Sequence, residues 1–150
     1  MIKVDKAEVA RAYNAFRRMN EENRWGQDPA WKIATRLRKM RPIVEQFEEV
    51  QLKIYKDAGF EPSGRGMQLV LKERGPDETP AAYEERRVAY VATTNKVNDE
   101  IRELGKGEVE VDGDPIPRSL FVDPPNTPDD KKLRLSPNDL ADAWAFISET

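Results

Sequence analysis

Apolar positions along the chain recur mainly at the helical step of three and four. The clearest run is Ile33, Leu37, Met40, Val44, Phe47, Gln51, Ile54 and Ala58, the seam of a packed helix broken only by Gln51. A second run is Tyr83, Arg87, Tyr90, Thr94, Val97, Ile101 and Leu104, with Val88 and Val91 widening its apolar face. Val9, Tyr13, Phe16 and Met19 give a shorter one, and Leu140, Trp144 and Ile147 a fourth. Start signals precede each run. Asp5 with Glu8 has capping-box spacing, and Asp28-Pro29, Thr79-Pro80 and Ser136-Pro137 set a capping side chain before a proline suited to the first turn. The pattern predicts four helices, at about 6–22, 29–58, 80–104 and 137–148. Pro42 falls inside the second. The seam keeps its phase across it, so one kinked helix is expected rather than two. Gly59 provides a stop for that helix, and Gly105 and Gly107 a stop for the next.

Between the long helices, residues 60–79 contain Pro62, Gly64, Gly66, Gly75 and Pro76. Met67–Leu71 within them reads as a short strand or a helical turn. After Gly107 the period shortens. Glu108-Val-Glu-Val111 alternates as a strand and runs into the turn Asp112-Gly113; Ser119–Val122 and Lys132–Leu135 are further extended candidates. Prolines at 115, 117, 124, 125 and 128 keep any sheet small. The expected architecture is α+β and mostly α. It is a three-helix bundle dominated by a long antiparallel helical hairpin, with a small β element and a short C-terminal helix. Residues 1–106 form the bundle, and residues 107–150 an acidic, proline-rich extension packed on it, in one domain overall. The two seams close either within one chain or between chains, so self-association is a further option.

Composition narrows the chemistry. The 150 residues include no His and no Cys. That excludes imidazole bases, thiol nucleophiles, His- or Cys-held zinc or haem, and disulfides. The four serines, at 63, 119, 136 and 148, form no Gly-x-Ser-x-Gly elbow. Glu45, Glu48, Glu49, Glu84 and Glu85 fall off the seams and read as surface charge. Asp112-Gly-Asp114 opens like a calcium loop but lacks the closing Glu, and reads as a turn. Pro62–Gly66 lacks the Gly-Lys-Ser/Thr ending of a phosphate loop and reads as a connection. No metal, no cofactor and no enzymatic activity is expected. No apolar run approaches the roughly 20 residues of a membrane helix, and the start has no signal-peptide region, so a soluble, cytoplasmic-type protein is expected.

Charged residues make up 35% of the chain and are partitioned. Residues 1–106 carry 21 Lys/Arg and 18 Asp/Glu, while residues 107–150 carry 4 and 10. Lys32, Arg36, Arg38, Lys39 and Arg41 cluster on the second helix just after Trp25 and Trp31. Lys32, Arg36 and Lys39 share one stripe beside the seam. Such a stripe is either a solvated face whose stems cover the core edge or a phosphate-binding surface with a stacking tryptophan. Trp144 and Phe146 point to different sides of the last helix, one inward and the other either toward a contact surface or buried on the bundle or the small β region.

The order of these features resembles small phage and prophage proteins of unknown function. It runs Trp31-Lys-Ile-Ala-Thr-Arg-Leu-Arg-Lys-Met-Arg-Pro-Ile-Val-Glu45, then Asn95-Lys-Val-Asn-Asp-Glu-Ile-Arg-Glu-Leu-Gly105, then Glu108-Val-Glu-Val-Asp-Gly-Asp-Pro-Ile-Pro117, then Leu135-Ser-Pro-Asn-Asp-Leu140 leading to Phe146-Ile147. The likeness spans about residues 30–148 and leaves helix one, the Trp25–Trp31 segment and the connector at 60–79 unmatched. It implies a viral origin and an α-rich fold, and brings no catalytic residues. The expected function is a non-enzymatic phage interaction protein, active in virion assembly or against a host factor, in the host cytoplasm or in the virion. Its partner surfaces are Trp25, Trp31, Lys32, Arg36 and Lys39, and Trp144 with Phe146. The alternative is a nucleic-acid-binding accessory protein using the basic cluster.

Overall fold

A computed structural model describes residues 1–22, 25–121, 128 and 135–149. The fold is α+β and mostly α, with two long helices among four and three small strand pairs among the described residues. In order, β1 (Ile2–Asp5) leads into α1 (Lys6–Glu22), α2 (Gln27–Asp57), the hairpin β2 (Glu61–Ser63) and β3 (Gly66–Gln68), and α3 (Pro80–Gly105). Then follow β4 (Glu108–Val111), β5 (Ile116–Pro117), a 3₁₀ turn at Arg118–Leu120, α4 (Pro137–Asp142), a second 3₁₀ turn at Trp144–Phe146, and β6 (Ile147–Ser148).

The helix ends follow local chemistry. The Glu8 amide donates to Asp5 Oδ1 at 2.7 Å and the Asp5 amide to Glu8 Oε2 at 3.1 Å, a reciprocal capping box. Thr79 Oγ1 accepts from the Ala82 amide and Ser136 Oγ from the Asp139 amide. Asp28 does not cap α2. The helix begins one residue earlier, at Gln27, and the Gly26 carbonyl accepts its first bond, from Ala30. α2 runs unbroken through Pro42. Its end is a Schellman turn: Gly59, at φ 89°, donates to the Lys56 carbonyl and Phe60 to the Tyr55 carbonyl. The Tyr55 and Phe60 rings, 5.1 Å apart, supply the hydrophobic contact that accompanies it.

The chain forms two compact units. Unit one comprises Met1–Gln46 and Gly105–Thr150, and unit two Phe47–Leu104. Residues 107–150 thus belong with α1 and the first part of α2, and the border falls within the long helices.

Unit one holds the main core. Val9, Phe16 and Met19 of α1 meet Ile33, Leu37, Met40 and Val44 of α2, with Val4, Val111, Ile116, Phe121, Phe146 and Ile147 closing it. β1 pairs antiparallel with β4, Val4 opposite Val109 and Ile2 opposite Val111. β5 pairs in parallel with β6, Ile116 opposite Ile147. That pairing corrects the fourth helix. It ends at Asp142, and Ile147 is extended because pairing with Ile116 buries both side chains. α4 is tied to α1 by Arg18, whose Nη2 donates to Asp139 Oδ1 at 2.7 Å and to Asp142 Oδ2 at 3.3 Å. The strand expected at Ser119–Val122 is instead the 3₁₀ turn through Leu120, with Val122 outside the described residues. Of Lys132–Leu135 only Leu135 is described, half-buried against the core.

Unit two joins the C-terminal part of α2 to α3 through the β2–β3 hairpin, whose turn is Gly64-Arg65. Phe47 and Val97 are buried on their seams, and Gln51, Ile54, Tyr90, Thr94 and Ile101 are half-buried. Arg87 leaves its seam position for the surface, where it pairs with Glu84 at 2.6 Å.

Candidate functional site: a groove between α2 and the β4–β5 turn

The helical step from Trp31 to Thr35 to Lys39, and from Lys32 to Arg36, sets five side chains along one flank of α2. The turn Asp112–Pro115 faces them. Together with Ile116 they line a groove of about 330 Å³, all within unit one.

Arg36 fixes the turn. Its side chain is 6% exposed, the one buried charged residue among those described. Nη1 donates to the Asp112 carbonyl at 2.9 Å and Nη2 to the Asp114 carbonyl. The guanidinium lies over the Phe146 ring, 5.7 Å from its centroid. Burial lowers its pKa, and Asp114 and Asp112 oppose that shift, so it stays charged. Gly113 lies between the two acceptor residues at φ 106°, and a Cβ there would sit 3.3 Å from both guanidinium nitrogens. The positive φ therefore favours glycine, and a side chain there would press on the Arg36 guanidinium. Lys39 closes the arrangement, its Nζ 2.9 Å from Asp112 Oδ2. That hydrogen bond, with the lysine charge, holds the Asp112 carboxyl below its ordinary pKa.

The residues expected to meet a partner thus divide. Trp31, 67% exposed, and Lys32, which makes no ion pair among the described residues, stand open at the groove. Arg36 and Lys39 line it but are engaged in holding its opposite wall. Arg41, the last cation of the cluster, lies beside Tyr13, which raises its pKa. Trp25 is half-buried and meets Phe121 edge-on at 5.1 Å, so it packs rather than presents a face. Phe146 is corrected outright. It is 1% exposed, against Phe16 on one side and under Arg36, so it belongs to the core. Trp144, 53% exposed, is the outward member of that pair and does not line the groove.

Sequence reasoning missed the wall formed by Asp112–Ile116. Its contribution is backbone carbonyls, which side-chain patterns do not carry. The available signal was Asp112-Gly113, read only as a turn.

The groove offers an indole face, one unengaged ammonium, the Thr35 hydroxyl and an apolar floor at Pro115 and Ile116. Among the described residues no three His, Cys, Asp or Glu side chains gather as a metal site, and no helix is long and apolar enough to cross a membrane. No family model, no curated protein and no solved structure matches this chain.

Proposed function

We propose that the protein is a non-enzymatic interaction protein of phage type, and that its working surface is the Trp31 groove of unit one. The occupant is a protein segment that lays an apolar side chain on Trp31 and Pro115 and offers a carboxylate to Lys32. The observation that carries this reading is the exposed indole beside an unengaged lysine, on a wall kept rigid by Arg36. An exposed tryptophan in a concave, partly apolar setting is the usual anchor of a protein contact. A rigid wall lowers the ordering cost of docking.

The nucleic-acid alternative loses support from the same geometry. Arg36 and Lys39 have partners within the chain, leaving Lys32 as the open cation of the cluster at the groove. Backbone recognition scales with the number of phosphates neutralised. One open cation at the groove, opposite a turn carrying Asp112 and Asp114, makes a poor phosphate track.

The test is affinity capture from phage-infected and uninfected cells, with nuclease present. Baits are the wild-type chain, Trp31→Ala/Lys32→Ala, and Trp144→Ala. A protein held by wild type and Trp144→Ala and lost from the double variant supports the reading. Nuclease-sensitive capture, or capture indifferent to Trp31 and Lys32, overturns it. Which lysate supplies the protein separates virion assembly from action on a host factor.

A further inference from the structure

Unit two leaves an unusual share of apolar surface open. Its buried apolar side chains are Phe47, Phe60 and Val97, whereas Val50, Leu52, Val70, Val88 and Val91 are exposed. Two of these lie on one strip of α3. Glu84, Arg87, Val88, Val91, Asn95 and Arg102 follow one another at helical steps that keep them within roughly 100° of arc. All six are exposed. The strip lies to one side of the seam formed by Tyr90, Thr94, Val97 and Ile101. Val88 is 55% and Val91 42% exposed near its middle.

We propose that this strip pairs with the same strip of a second copy, antiparallel, about a two-fold axis that crosses the strip midway between Val91 and Asn95. The charge order selects both the occupant and its direction. Each copy carries two ion pairs flanking the valines: Glu84 with Arg87 at 2.6 Å, and Asp99 with Arg102 at 3.1 Å. An antiparallel copy centred between Val91 and Asn95 sets Glu84 opposite Arg102 of the second copy, and Arg87 opposite its Asp99. Each intrachain pair then lies on its complement, and the four charges alternate in sign. A parallel copy sets Glu84 on Glu84 and Arg87 on Arg87, which repels. Val91 and Val88 fall opposite Asn95 and Asn98 of the second copy. Asparagines in such a seam fix register while weakening the pair. With two valines per copy the contact belongs to the small, transient class of interfaces.

A charge-swap experiment tests this without disturbing either intrachain pair. Variant one is Glu84→Arg/Arg87→Glu and variant two is Asp99→Arg/Arg102→Glu. Each preserves its own i,i+3 pair with the signs exchanged, and circular dichroism checks that helicity is kept. Sedimentation equilibrium at low salt, over about 10–500 μM, reads the association constants. Wild type is expected to dimerise, and each variant alone to associate at least roughly tenfold more weakly, because four cross-pairs become repulsive. An equimolar mixture of the two variants is expected to recover association to within about threefold of wild type, since every cross-pair is again of opposite sign. Wild type monomeric throughout this range overturns the proposal. So does a variant that dimerises like wild type, or a mixture no tighter than its components.

Discussion

Arg36→Ala gives the most demanding check on how the groove is built. The substitution leaves the carbonyls of Asp112 and Asp114 without their donor and removes the cation from the Phe146 face. A hydrogen bond from a charged donor contributes about 1.5–3 kcal/mol, and a cation–π contact about 0.5–2 kcal/mol. Two terms reduce the sum. Water reaches the exposed Asp112–Asp114 turn and replaces part of what the carbonyls lose. Removing the guanidinium also relieves the desolvation of a buried charge. The net loss is about 3 kcal/mol for Arg36→Ala, about 2 kcal/mol for Arg36→Met, which keeps the stem volume, and about 1–2 kcal/mol for Arg36→Lys, which lacks the two-pronged donor. Urea unfolding followed by tryptophan fluorescence is the assay. Trp25, Trp31 and Trp144 all lie in unit one, so the signal reports that unit. With a slope of about 2 kcal/mol/M, the midpoint of Arg36→Ala falls by about 1.5 M. Alanine and methionine variants within about 0.3 M of wild type would refute the claim that this side chain holds the turn.

Other expectations follow from the same contacts. Gly113→Ala places a Cβ against the Arg36 nitrogens at a positive φ, and loses about 1–2 kcal/mol in the same unfolding assay. Asp5→Ala breaks the reciprocal cap of α1 and loses about 1 kcal/mol, while Glu8→Gln, which keeps an acceptor, loses less. The Asp112 carboxyl titrates below the ordinary carboxylate range because Lys39 hydrogen-bonds it. A depressed folded-state pKa means the pair stabilises above the unfolded value of about 3.9 and is lost as pH falls through the folded one. A ¹³C carboxyl titration should therefore show Asp112 returning to the ordinary range in Lys39→Met, and an unmoved midpoint contradicts the pairing.

The long helices were legible because their information is local. The seam from Ile33 to Phe47 and the caps at Asp5, Thr79 and Ser136 are set by residues three and four apart. The strand pairs were less so. β1 offers only Ile2 and Val4 as an alternating signal, and its partner Glu108–Val111 lies beyond three intervening helices in the sequence. Ile147 fits the helical spacing from Leu140 and Trp144, yet the long-range demand of Ile116 draws it into a strand. The site was half legible for the same reason. Trp31 and Lys32 stand on the flank that the helical step assigns them. Arg36 reads as one more cation of a surface stripe, because the carbonyls that bury it belong to a turn more than seventy residues away. Phe146 and Trp144 share one expectation as partner residues, and the packing of Phe16 and Arg36 on Phe146 leaves Trp144 alone facing outward.

The central claim is that a protein partner docks at the groove beside Trp31. The three indole N–H resonances of the ¹⁵N-labelled chain test it directly, because each tryptophan occupies a different setting: Trp25 packed on Phe121, Trp31 at the groove, and Trp144 on the C-terminal turn. On titration with the captured partner, the Trp31 signal is predicted to shift or broaden while those of Trp25 and Trp144 stay in place. A titration that moves Trp144 and leaves Trp31 unchanged contradicts the account.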